Sequence, residues 1–143
     1  MAEINFFSED IAFSPENTNT LKSWIKKVAL AESCSIDTLN YIFCSDAYLL
    51  KINIQYLNHS FYTDIISFPY NETDDPITGD CFISIERVKE NAKLYTSGFS
   101  GELARVLIHG FLHLAGYDDK TREQKAIMQE KENKYVDLYK CST

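Results

Sequence analysis

The chain has 143 residues, 45% of them apolar and 24% charged, which places it near the common size for one globular domain and excludes a disordered or fibrous polymer. Its formal net charge of −7 excludes a nucleic-acid binder that works through a broad basic footprint, because such affinity comes from many Lys and Arg displacing counterions. No apolar run approaches the roughly 18 to 20 residues of a membrane span, so no membrane partner is expected.

The N-terminal stretch MAEINFFSEDIAFSPEN has neither a basic region nor an apolar core of the kind a signal peptide needs. Cys34, Cys44, Cys81 and Cys141 form no CxxC pair. Both features point to a cytoplasmic chain with reduced thiols. No repeat or low-complexity linker interrupts the sequence, so residues 1–143 are expected to form a single domain.

INFF reads as a short strand. SPENTNT then opens a helix carrying Leu21, Trp24, Ile25 and Val28 at helical spacing, ending near Glu32. Residues 36–44 alternate apolar and polar side chains as a half-buried strand does. Ser45 is placed to cap a helix over 46–57, with Asn58 as its left-handed terminator. A polar loop over 59–63 leads to the strand DIISFPY, whose Pro69 suits a sheet edge. Residues 79–85 form another strand, reached through an exposed turn over 71–78, and the two strands suit a long-looped hairpin. Helices follow over 86–96, 99–116 and 121–139. The expected fold is α+β: about four strands in a small mixed sheet, packed with about five helices.

The 99–116 helix carries the chemistry. Ser100 is a candidate N-cap, and Glu102 puts negative charge in the first turn. Glu102, Arg105, His109 and His113 fall on one narrow stripe, while Leu103, Leu107, Ile108, Phe111, Leu112 and Leu114 cover the remaining circumference. A helix apolar nearly all round lies in a core, and a polar stripe within it needs partners. Histidines at i and i+4 can aim one nitrogen each at a single cation, although such a pair is also found as ordinary core or surface decoration. Gly116 is placed to end the helix in the left-handed region and turn the chain back, which would bring a carboxylate to the two histidines. Asp119 sits at +10 from His109, Asp118 competes one residue earlier, and a fourth position would remain open for water.

HGFLHLAGYDD, from His109 to Asp119, resembles the HGxLHLxGYDH signature of the YbeY family of bacterial rRNA maturation factors, with Asp119 at the family's third histidine. INIQYLNHSFYTDIISFP, over 52–69, is similar to that family's LNxxYRxxxxxTDVLSFP, and GDCFIS, over 79–84, to its GDIxIS strand. The resemblance implies a zinc-dependent hydrolase holding Zn²⁺ through His109, His113 and Asp119. It also implies endoribonuclease action on single-stranded rRNA, in 16S rRNA 3′-end maturation and ribosome quality control, with the ribosome or ribosomal proteins as partners and no DNA. Where the family carries an arginine suited to a phosphate oxygen, this chain has Leu57. Arg105 is the candidate substitute, although its i, i+3 spacing equally suits an ion pair with Glu102. His59, Asp64 and Ser67 fall in the matching blocks and are candidate substrate-binding residues.

Gly110 stands where a metallopeptidase would place its glutamate base, which weakens the alternative of a peptide or small-molecule amide hydrolase. A ribosome-associated binding factor with a structural metal is the other alternative, favoured by the acidic charge and by Leu57.

Overall fold

The computed structural model describes residues 2–142 apart from Phe61, Thr73 and Ser97, so one residue each of the expected 59–63 loop and 71–78 turn lies outside the described residues. Four strands, β1 (Glu3–Ser8), β2 (Ile36–Cys44), β3 (Ile65–Pro69) and β4 (Ile77–Ser84), build one mixed sheet in the order β1-β2-β4-β3. Five helices accompany it: α1 (Thr18–Ala31), α2 (Asp46–Leu57), α3 (Ile85–Leu94), α4 (Phe99–Leu114) and α5 (Arg122–Ser142). β1 and β4 each run parallel to β2, whereas β3 is antiparallel to β4 and occupies the edge.

Local chemistry accounts for most boundaries. The Ser45 hydroxyl accepts the Tyr48 N–H at 3.1 Å to open α2, and Asn58, at φ 55°, closes it. β4 begins two residues before the expected start, because pairing with β2 and the Ile77 N–H bond to the Ser35 carbonyl at 2.8 Å recruit Ile77 and Thr78 into the ladder. α4 begins at Phe99 as expected, but a different residue caps it. Its N-cap is Gly98 and not Ser100, and Phe99 in the first turn packs edge-on against Phe13 with ring centroids 5.8 Å apart. Burial of that ring outweighs the capping preference of the serine.

α4 is the central helix, with Leu103, Leu107, Ile108, Phe111 and Leu112 all buried. It lies against β3 and β4 on one side and α5 on another, and the Tyr41 hydroxyl of β2 donates to the Leu107 carbonyl at 2.8 Å inside the core. α5 is tied to α1 by the Trp24 indole N–H, which donates to the Tyr135 carbonyl at 2.8 Å. α2 covers part of the opposite sheet face, burying Leu49 with Cys44 and Ile66. The C-terminal end of α4 therefore emerges beside edge strand β3.

Candidate metal centre

α4 ends in a reversal that its glycine dictates. The Gly116 N–H bonds the His113 carbonyl at 3.1 Å and the Tyr117 N–H bonds the Leu112 carbonyl at 3.0 Å, the paired pattern of a Schellman turn. Gly116 takes φ 107°, where a Cβ is strained. On the far side, Thr121 and Gln124 cap α5 reciprocally: the Thr121 hydroxyl accepts the Gln124 N–H, and the Gln124 side-chain oxygen accepts the Thr121 N–H, both at 3.0 Å. Asp119 is held between these two turns.

Three ligand atoms converge there. His109 Nε2 and His113 Nε2 lie 3.0 Å apart, and Asp119 Oδ2 lies 3.4 and 3.5 Å from them. A triangle with these sides has its centre about 1.9 Å from each corner, close to the roughly 2.0 to 2.2 Å of zinc bonds to nitrogen and oxygen. The donors are spaced as ligands to one small divalent cation.

The hydrogens argue the same way. His109 Nδ1 is 2.6 Å from a Glu132 oxygen and His113 Nδ1 is 3.0 Å from the Tyr117 carbonyl. A carboxylate or a carbonyl only accepts, so both Nδ1 atoms carry hydrogen, and in neutral rings both Nε2 atoms present bare lone pairs. Two lone pairs and a carboxylate oxygen facing one another repel unless positive charge lies among them. A proton can bridge two of these atoms, whereas a divalent cation engages all three.

Burial disfavours the charged form of His109, but the Glu132 hydrogen bond and charge, with Asp119 and Asp64 behind it, outweigh that and hold the imidazole above its ordinary value of 6.5. Burial likewise pushes the Asp64 carboxyl up from 3.8, only partly offset by His109.

His109 and Asp119 line two adjoining grooves. One, of about 570 Å³, runs between α4 and α5 and includes Arg105, Lys125 and Glu132. The other, of about 560 Å³, runs between α4 and the α2–β3 side and includes His113, Leu57, His59, Asp64, Ser67 and Lys120. The structure thus brings His109, His113 and Asp119 together, with His59, Asp64 and Ser67 along the second groove. Asp118 lines that groove too but stands outside the ligand cluster. Arg105 faces the first groove with its guanidinium bound to Glu132 at 3.1 Å and Asn133 at 2.8 Å. The guanidinium thus pairs across to α5.

Sequence reading missed Glu132. A signal existed: it interrupts the buried α5 stripe of Met128, Tyr135, Val136 and Tyr139 with a carboxylate that is itself buried. Gly110 faces the sheet, where an added Cβ would lie 2.7 Å from Ile65 Cδ1 and 2.9 Å from Cys81 Sγ. That position has no room for a peptidase glutamate.

The family model described as Endoribonuclease YbeY matches residues 3–140. Curated proteins named Endoribonuclease YbeY from Cytophaga hutchinsonii and Amoebophilus asiaticus are 48% and 45% identical to this chain. The first alignment covers 96% of each chain; the second covers 94% of this chain and 92% of the relative. The solution structure of TM1509 from Thermotoga maritima superposes with a TM-score of 0.67 at 29% identity, over 95% of this chain and 88% of that one.

Proposed function

The chain belongs to the endoribonuclease YbeY family, and from that premise we propose a zinc-dependent hydrolase that cleaves phosphodiester bonds in single-stranded rRNA. Its setting in this reading is 16S rRNA 3′-end maturation and ribosome quality control in the cytoplasm, with the ribosome or ribosomal proteins as partners. The observation that carries the proposal is the triangle of two histidine lone pairs and the Asp119 oxygen, lying where two open grooves meet. A polymer passing from one groove to the other would cross His109 and Asp119, which line both, and that suits cleavage within a chain.

His109, His113 and Asp119 would hold the ion. When bound there, a divalent cation would supply acidification of a water molecule and polarisation of a phosphodiester oxygen. Asp64, half-buried in the second groove, is the side chain best placed there to exchange a proton with the reacting oxygens. His59 and Ser67 line the same groove as substrate contacts. With Arg105 engaged by Glu132 and Asn133, the exposed cations Lys120 and Lys125 remain, one in each groove, for flanking phosphates.

The test is to incubate zinc-loaded protein with a single-stranded rRNA fragment, the same sequence as a duplex, and an unstructured peptide. Cleavage of the single strand alone, abolished by a chelator and restored by zinc without loss of the circular dichroism signal, supports the reading. Peptide cleavage with intact RNA would favour an amide hydrolase. Melting of the fold on chelation, with no cleavage of any substrate, would favour a binding factor with a structural metal.

A further inference from the structure

Among the described residues, helix α5 adds none to the ligand cluster, yet one of its side chains reaches it. Glu132 is buried among the α4–α5 contacts and divides its carboxylate between two residues of α4. Oε2 lies 2.6 Å from His109 Nδ1, and Oε1 accepts a hydrogen bond from Arg105 Nη1 at 3.1 Å. Arg105 Nη2 in turn donates to the Asn133 side-chain oxygen at 2.8 Å. We propose that Glu132 is the positioning residue of the metal centre, fixing the tautomer and orientation of His109 and thereby setting the affinity of the site, with Arg105 holding the carboxylate in place. The inference rests on the metal reading above and adds to it a determinant outside the ligand set.

The physical argument concerns what His109 does without that carboxylate. A neutral imidazole carries its hydrogen on either nitrogen with little preference, and its ring can turn over. An acceptor at Nδ1 removes both freedoms: hydrogen stays on Nδ1, the lone pair stays on Nε2, and Nε2 points at His113 and Asp119. The negative charge also makes Nε2 a better donor to a cation. His113 receives the same service from the Tyr117 backbone carbonyl, which no side-chain substitution removes. The two ligand histidines therefore differ in kind, one positioned by the Schellman turn of its own helix end and one by a neighbouring helix.

Arg105 completes the device. A carboxylate this buried needs a second partner, and the guanidinium supplies one without competing for Oε2. A glutamine at 132 offers one accepting oxygen and one donating NH₂. It can serve His109 or Arg105, but not both as the carboxylate does.

The experiment measures zinc affinity by competition with a chromophoric chelator, together with the absorption spectrum of the cobalt-substituted protein and the melting temperature of the metal-free chain. Glu132→Gln is expected to weaken zinc about 10- to 100-fold, the range found when outer-shell partners of ligand histidines are lost, and to shift the cobalt bands. Glu132→Leu should weaken it at least as far; if the leucine variant does not fold, the glutamine variant carries the test. Zinc affinity within threefold of wild type and unchanged cobalt bands, even with a lowered melting temperature, would overturn the inference and leave Glu132 as a helix-packing residue. Wild-type protein that takes up neither zinc nor cobalt would overturn the metal reading itself, and the inference with it.

Discussion

Gly110 of α4 and Cys81 of β4 are packed so closely that a Cβ on the glycine would lie 2.9 Å from the cysteine Sγ and 3.6 Å from its Cβ. Alanine improves helix propensity over glycine by about 1 kcal/mol, but overpacking a filled core costs about 1 to 3 kcal/mol. Cys81 is fully buried, so it has little room to yield. Gly110→Ala is therefore expected to lower stability in urea denaturation, and adding Cys81→Ala in the same background should recover part of the loss. A Gly110→Ala variant as stable as wild type would show that helix and strand can separate without cost. Gly110→Glu should destabilise further and gain no peptidase activity, because position 110 faces the sheet.

Asp119 provides the one carboxylate oxygen of the ligand triangle. Asp119→Ala leaves two histidines, too few for a tight site, and zinc measured by atomic emission should fall from one ion per chain to a small fraction of that. Asp119→His restores the residue of the related signature. It should keep zinc and raise the positive charge of the centre by one, moving the rise in cleavage rate to lower pH. Full zinc content in Asp119→Ala would reassign the third ligand.

Much of this centre was legible in the sequence, and what was missed has a common cause. The i, i+4 histidines, the left-handed glycine and the returning carboxylate are all local in the chain, so helical geometry and turn chemistry place them. The bounds of β2 and α2 were legible for the same reason, through alternation in one and the Ser45 and Asn58 caps in the other. Glu132 lies 23 residues from His109, and their hydrogen bond exists only because α5 docks on α4. The early start of β4 and the displaced cap of α4 also come from tertiary partners, β2 in one case and Phe13 in the other.

Asp64 stands at the N-terminal end of β3 with its carboxyl drawn up by burial. If it exchanges a proton with the reacting oxygens, Asp64→Asn should lower kcat about 10²- to 10⁴-fold while zinc content and KM stay near wild type. A rise in KM with kcat unchanged would instead make Asp64 a substrate contact.

Glu32, at the end of α1, accepts hydrogen bonds from Tyr117, Tyr135 and Lys131. Burial raises its pKa, but those three bonds outweigh burial and hold the carboxyl below the ordinary 4.5. The stability it contributes is thus complete above pH 4.5 and is lost as pH falls through the lower folded-state value. Melting temperature should decline on acidification below that point, and Glu32→Gln should flatten the decline while costing about 1 to 3 kcal/mol at neutral pH. Because the Tyr117 carbonyl also holds His113, the same variant should bind zinc more weakly. An acid profile identical to that of wild type would exclude Glu32 as a determinant.

Leu57 lines the second groove and is 42% exposed, so a longer side chain there meets solvent and substrate before it meets the core. Its apolar surface offers nothing to a phosphate, whereas a guanidinium offers two parallel donors. Leu57→Arg is expected to lower KM for single-stranded RNA about tenfold, equivalent to about 1.4 kcal/mol, with little change in kcat. It should also steepen the dependence of binding on salt by about 0.7 in the log–log slope, the contribution of one added phosphate contact on a single strand. Lys120→Ala should act in the opposite sense, since its ammonium lies in the same groove. Binding that ignores both substitutions would place the strand elsewhere, on the α4–α5 side, where Lys125→Ala would then carry the salt dependence.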